Sequence, residues 1–211
     1  MIRLPRLYAI ADASAFPDTA ALVTFAEELS AAGVTLLQLR NKTGDARQML
    51  EQARALKLLV PDFVKLVMIM IMNDRADLCL AAGFDGVHVG QEDLSPEAAR
   101  KIIGDARWLG VSTHNAEQIK EAEKTSADYI AIGPVFATSS KANPDPVIGL
   151  EGVRQARALT RKPLVAIGGI TRTNCRSVIE AGADSVAVIS DLLAEPRKSA
   201  EEFLRILKGS G

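Results

Sequence analysis

Leu66 to Asp93 reads LVMIMIMNDRADLCLAAGFDGVHVGQED. The apolar run Leu66–Met72 predicts a buried strand, and it stops at Asn73-Asp74-Arg75. Ala76 to Ala82 predicts a short helix. Gly86 to Val89 predicts a second strand, which ends in Gly90-Gln91-Glu92-Asp93. In a parallel α/β protein neighbouring strands finish on one face, and ligands bind there. Both of these strand ends carry a carboxylate, Asp74 and Asp93. Two carboxylates so placed can share a hard divalent cation such as Mg²⁺ with the oxygens of a phosphate ester. A structural role has about equal weight: Asp74 as the N-cap of the next helix, and Asp93 in the turn before Ser95-Pro96.

Outward from this segment the same alternation repeats. Short strands are expected at Leu7–Ala11, Thr35–Arg40, Trp108–Ser112, Tyr129–Ile132, Leu164–Ile167 and Ser185–Ile189. The helices between them are bounded by Asp18 and Gly33, by Asp45 and Pro61, by Pro96 and Ile103, by Asn115 and Lys124, by Leu150 and Leu159, and by Asn174 and Gly182. Asn115 with Gln118 resembles a capping box. A short extra helix over Asp191–Ala194 precedes the last, Pro196–Lys208. Eight β-then-α units with no break in composition predict one domain over residues 1–211, an α/β fold of the (β/α)₈ TIM-barrel type. One connection, Gly133–Gly149, is long, and a long loop in a compact domain is usually functional.

The bulk properties agree with that class. The 211 residues are 48% apolar and 24% charged with a net charge of −1, so no basic field argues for nucleic acid or a membrane surface. No apolar run reaches the ~20 residues of a membrane span. Cys79 and Cys175 are far apart and read as buried free thiols in a reducing cytoplasm. The Met68–Met72 run reads as adaptable core packing. Monomer and homodimer both stay open.

In a barrel every strand end meets in one mouth. That mouth would collect Gln38, Arg40 and Lys42 after strand two, Asn73 and Asp74 after three, and His88, Gln91 and Asp93 after four. Ser112 and His114 follow strand five, and Thr138, Ser140 and Lys141 follow six. Alternation gives Gln38 and Arg40 the same facing, with Lys42 continuing the series. Two cations and an amide together suit a multiply charged phosphate group. Gly168-Gly169 after strand seven and Ile189-Ser190 after strand eight occupy the recurrent phosphate site of barrels, where glycine permits close approach. His88 and His114 read first as hydrogen-bonded structural histidines.

These motifs resemble the thiamine-phosphate synthase family along the whole chain. The segments are QLRNK (Gln38–Lys42), MNDRADLCLAAGFDGVHVGQED (Met72–Asp93), GVSTHN (Gly110–Asn115), GPVFATSSK (Gly133–Lys141), VAIGGIT (Val165–Thr171) and GADSVAVIS (Gly182–Ser190). The chain departs from the family pattern at Ser139-Ser140, where a second Thr is common, and before Asn73, where Gly-Val-Pro is replaced by an apolar run. The resemblance implies a Mg²⁺-dependent transferase acting on small phosphorylated substrates. It would couple 4-amino-5-hydroxymethyl-2-methylpyrimidine diphosphate to a thiazole phosphate, releasing pyrophosphate after the carbon–oxygen bond to diphosphate breaks first. It implies Asp74 and Asp93 as metal ligands and Arg40, Lys42, Asn73, Ser112 and Lys141 around the diphosphate. Tyr8, Gln38 and His88 would lie near the pyrimidine, and Thr138, Ser140, Gly169, Ile189 and Ser190 around the thiazole phosphate. A thiazole-phosphate tautomerase of the related regulator-like branch is the alternative, and the intact diphosphate set speaks against it.

Overall fold

The computed structural model describes residues 2–58, 68–138 and 145–208. Eight parallel strands close into a barrel in chain order: β1 (Leu7–Asp12), β2 (Leu36–Arg40), β3 (Ile69–Asn73), β4 (Gly86–Val89), β5 (Trp108–Thr113), β6 (Tyr129–Ile132), β7 (Leu164–Ile167) and β8 (Ser185–Val188). The helices are α1 (Thr19–Ala31), α2 (Ala46–Lys57), α3 (Ala76–Ala82), α4 (Pro96–Ile103), α5 (Ala116–Lys124), α6 (Gly149–Leu159), α7 (Cys175–Glu180) and α8 (Pro196–Lys208). The expected start of β3 at Leu66 and the helix breaker Pro61 lie outside the described residues. The short helix expected over Asp191–Ala194 is a 3₁₀ turn at Ser190–Leu192.

Strand periodicity sorts the side chains into two cores. Tyr8, Ile10, Leu36, Ile71, Tyr129, Ala131, Val165 and Ala187 fill the barrel interior. Their neighbours along each strand, such as Ala9, Leu37, Met70, Met72, Val87 and Val186, face the helices. Met68, Met70 and Met72 are all buried there, as core packing requires. Cys79 and Cys175 are buried free thiols. Asp18, Asp45, Ser95 and Asn115 cap α1, α2, α4 and α5, each accepting a backbone N–H bond of the first turn.

The face away from the mouth is tied by one device used three times. Asp85, Asp128 and Asp184 immediately precede β4, β6 and β8, and each accepts a backbone N–H of the preceding strand at 2.8 Å, from Met70, Leu109 and Leu164 respectively. Lys57, Arg100 and Arg157 pair with these carboxylates. The charge therefore satisfies the first free amide of β3, β5 and β7 and fixes the register between strand pairs. That rigid base leaves the opposite rim for chemistry.

Candidate active site

The rim encloses a cavity of about 760 Å³. Its wall includes Tyr8, Gln38, Arg40, Lys42, Asn73, Asp74, His88, Asp93, Ser112, Thr138, Gly169, Ile189 and Ser190, so the structure brings these sequence-selected residues together. Ser140 and Lys141 lie outside the described residues. The remaining wall is partly apolar, with Ile10, Ala131, Val165 and Ala187 forming its floor.

Asp74 does not cap α3. The N-cap position belongs to Arg75, which makes no side-chain cap bond and instead pairs with Asp77. Asp74 itself takes a left-handed conformation, φ 62°, with its amide donating to His88 O at 2.7 Å. A non-glycine residue there is uncommon, and such strain gathers at functional sites. The turn aims the carboxylate at Lys42, with which it forms an ion pair, and within hydrogen-bonding reach of Asp93. Burial and the neighbouring Asp93 push Asp74 up to about 6, with Lys42 opposing. Asp93 also has the turn role expected of it, accepting from Gly90 N at 2.8 Å.

Arg40 ends β2 beside Asp12, its partner in the β1–β2 register, and the two form an ion pair. Asp12, buried to 6% exposure, is one residue past the strand expected at Leu7–Ala11 and closes β1 in the structure, a third carboxylate at a strand end. Asn73 pairs with His88 across β3–β4, and its Nδ2 is buried with no hydrogen-bond partner. A buried orphan donor costs about 1–3 kcal/mol, so this amide fits an anionic oxygen supplied by a ligand. Among the described residues no three His, Cys, Asp or Glu side chains form a metal cluster. The Asp74–Asp93 pair instead suits Mg²⁺, which takes one or two carboxylates and completes its shell with water and phosphate oxygens.

Gly168 and Gly169 have φ of 101° and 61° and line the cavity. Their reason is broader than the phosphate approach read from the sequence. A Cβ on Gly168 would stand 2.6 Å from Pro134 Cα, and one on Gly169 2.4 Å from Ala137 O. Phe136 N donates to Gly168 O at 3.0 Å. The pair lets the segment after β6 lie against the end of β7, which places Thr138 at the rim.

Both histidines are hydrogen-bonded. His114 Nδ1 lies 2.7 Å from Gly133 O and 3.4 Å from Asp145. His88 is buried between Tyr129 Oη (3.1 Å from Nδ1) and Ser112 Oγ (2.8 Å from Nε2). Burial pulls its imidazole down to about 4 from an ordinary 6.5, with Asp93 opposing weakly, so it is neutral at pH 7. Because the folded value lies below the unfolded one, this stabilisation is whole above 6.5 and is lost as pH falls toward 4. Linkage puts the loss at up to ~3 kcal/mol. Denaturant titrations across pH 7 to 4 check it: His88→Gln should show a visibly shallower decline than the parent.

A family model described as thiamine monophosphate synthase matches residues 7–192. A Koribacter versatilis protein named thiamine-phosphate synthase is 62% identical over 98% of this chain and 97% of its own length. A Shouchella clausii protein of the same name is 43% identical over 90% of this chain and 88% of its own. Among solved structures, thiamine phosphate pyrophosphorylase from Pyrococcus furiosus superposes with a TM-score of 0.83 at 36% identity, covering 97% of this chain and 96% of that one. The fold, the grouping of strand-end residues and these matches agree, and the chain belongs to the thiamine monophosphate synthase family.

Proposed function

We propose that the barrel mouth holds a pyrimidine diphosphate with Mg²⁺ beside a thiazole phosphate and couples the two. The chain is a transferase with its family's reaction: 4-amino-5-hydroxymethyl-2-methylpyrimidine diphosphate and 4-methyl-5-(2-hydroxyethyl)thiazole phosphate give thiamine phosphate and pyrophosphate. The residue roles rest on one observation above the others. Arg40, Lys42, Asn73, Asp74, Asp93 and Ser112 line a single cavity, two cations and two donors facing a carboxylate pair.

On this reading Asp74 and Asp93 hold Mg²⁺, which when bound supplies positive charge against the diphosphate leaving group. Arg40, steadied by Asp12, presents its guanidinium fork, and Lys42 adds a point charge. Asn73 and Ser112 donate to the remaining oxygens. Gln38 orients the pyrimidine, with Tyr8 and His88 as its wall. Thr138, Ser140, Gly169, Ile189 and Ser190 surround the thiazole phosphate, and Lys141 approaches the diphosphate from the segment after β6. Departure of diphosphate leaves a pyrimidinylmethyl cation, which the thiazole nitrogen attacks. That step needs charge stabilisation rather than a strong base. The apolar floor of Ile10, Ala131, Val165 and Ala187 limits water that would capture the cation.

The assay mixes the protein with both substrates and Mg²⁺ and quantifies thiamine phosphate. Product that vanishes with EDTA and returns with added Mg²⁺ is the expected result. Equal product in EDTA would remove the metal from the reading, and no product from folded protein would overturn it. No helix among the described residues is long and apolar enough to cross a membrane. We assign the chain to the cytoplasm, where free thiols such as Cys79 and Cys175 persist.

A further inference from the structure

Tyr129 opens β6 and is fully buried. It does not line the cavity, yet it joins two side chains that do. Its hydroxyl lies 3.0 Å from Tyr8 Oη and 3.1 Å from His88 Nδ1. The rings are set to allow this, Tyr8 meeting Tyr129 edge-on at 6.1 Å and His88 tilted against it at 5.5 Å. Beyond Tyr8, Gln38 Nε2 donates to the Tyr8 hydroxyl at 2.7 Å. Beyond His88, Nε2 meets Ser112 Oγ at 2.8 Å. Five residues from β1, β2, β4, β5 and β6 thus form one unbroken chain across the barrel beneath the mouth.

A phenol has a single proton, so each hydroxyl in the chain donates once, and the bonds can run in either of two senses. Tyr8 accepts from the Gln38 amide, and in the sense that leaves Tyr8 no idle proton it donates to Tyr129. Tyr129, having accepted, donates to His88 Nδ1. A neutral imidazole that accepts at Nδ1 carries its proton on Nε2. That proton goes to Ser112 Oγ, and the Ser112 hydroxyl proton is left to point elsewhere. Ser112 stands on the cavity wall with Arg40 and Lys42. Run in the opposite sense, the chain would spend the Ser112 proton on His88 and turn an oxygen lone pair toward an incoming anion.

We propose that Tyr129 is a positioning residue for this site: its hydroxyl holds His88 as the Nε2–H tautomer and so keeps Ser112 a hydrogen-bond donor toward the bound anion. The value of a donor there rests on the diphosphate reading above; the tautomer itself does not. Tyr129 acts through His88 and Ser112 and touches no reacting atom.

The test uses full-length, substrate-free protein labelled with ¹⁵N-histidine. With two histidines in the chain, His88 and His114 are separated by one substitution control. At pH 7 the wild-type His88 should show a protonated Nε2 and an unprotonated Nδ1. Tyr129→Phe removes the donor to Nδ1, and the spectrum should move to Nδ1–H or to a mixture while His114 stays put. Tyr8→Phe leaves Tyr129 able to donate, so Nε2–H should persist. In the transferase assay Tyr129→Phe should lower kcat roughly tenfold with KM for the pyrimidine diphosphate within about twofold. A wild-type His88 protonated at Nδ1, or a folded Tyr129→Phe protein with an unchanged His88 spectrum, overturns the proposal. A wild-type His88 protonated at Nδ1 overturns the proposal even if Tyr129→Phe fails to fold. Because the spectra need no substrate, they succeed or fail apart from the reaction assay.

Discussion

Asp74→Asn should cut Mg²⁺-dependent turnover on the order of 10³-fold, equivalent to ~4 kcal/mol of barrier. Asparagine keeps the shape and tolerates the left-handed φ of 62° that this position requires, so the fold should survive. What is lost is one of two carboxylates that face each other. Asp74 sits at about 6 because it is buried and lies beside Asp93. Its folded value lies above the unfolded 3.8, so stability is lost as pH rises between the two, and the deficit is complete above 6. Linkage bounds that deficit at ~3 kcal/mol. A divalent cation offsets it by supplying the charge the pair lacks. Mg²⁺ alone should therefore raise the wild-type Tm more at pH 8 than at pH 5. Asp74→Asn should be more stable than wild type at pH 8 without metal and should show little Mg²⁺ response. Thermal scans at both pH values, with and without Mg²⁺, check this beside the rate. Full turnover together with an unchanged Mg²⁺ shift in Asp74→Asn would remove Asp74 from the metal site. Asp93→Ala should act in the same direction on rate, but it also removes the acceptor of Gly90 N and so costs stability of its own.

The strand ends were the most legible part of the sequence, because burial on both faces makes each strand a short apolar run and the first polar residue marks its exit. That is why the sequence alone sets Asn73-Asp74 and Gly90–Asp93 on one rim. Facing was legible wherever alternation holds, as for Gln38 and Arg40. Partnerships were not. Asp12 falls just past the expected strand Leu7–Ala11, in what reads as a loop, since its use depends on the β1–β2 register that sets it beside Arg40. Tyr129 looked like one more apolar strand residue, because only barrel closure turns its hydroxyl toward Tyr8 and His88. Asp74 had the composition of a helix cap, and only its positive φ shows that the chain turns there for another purpose. In the sequence the glycines after β7 suggest only a phosphate site, whereas their nearest neighbours in the fold belong to the segment after β6.

Gly110→Ala should be a strongly damaging single-methyl change in the barrel interior. Gly110 lies in β5, paired with His88 on one side and Tyr129 on the other. A Cβ there would stand 2.1 Å from Tyr129 Cζ, 2.4 Å from Tyr129 Oη and 2.5 Å from His88 Nδ1. Neither ring is the loose end of a flexible chain. Tyr129 is fully buried, and both rings are held by the hydrogen bonds that run to Tyr8 and Ser112. Making room must break the Tyr129–His88 bond or push β5 away from β6, and either change leaves buried polar atoms without partners. Overpacking and a lost buried bond together put the cost at about 3 kcal/mol. For a domain of this size that lowers Tm by roughly 6–12 °C. Activity should fall by at least as much as in Tyr129→Phe, since the same hydroxyl is displaced from His88. The paired Gly110→Ala, Tyr129→Phe variant separates the two contributions. Phenylalanine removes the oxygen but keeps the ring carbon that the new methyl strikes, so the double variant should recover little stability. If Gly110→Ala alone melts within a degree or two of wild type, the rings have freedom that this packing denies them. The hydrogen-bond chain beneath the mouth would then be too loose to fix a tautomer.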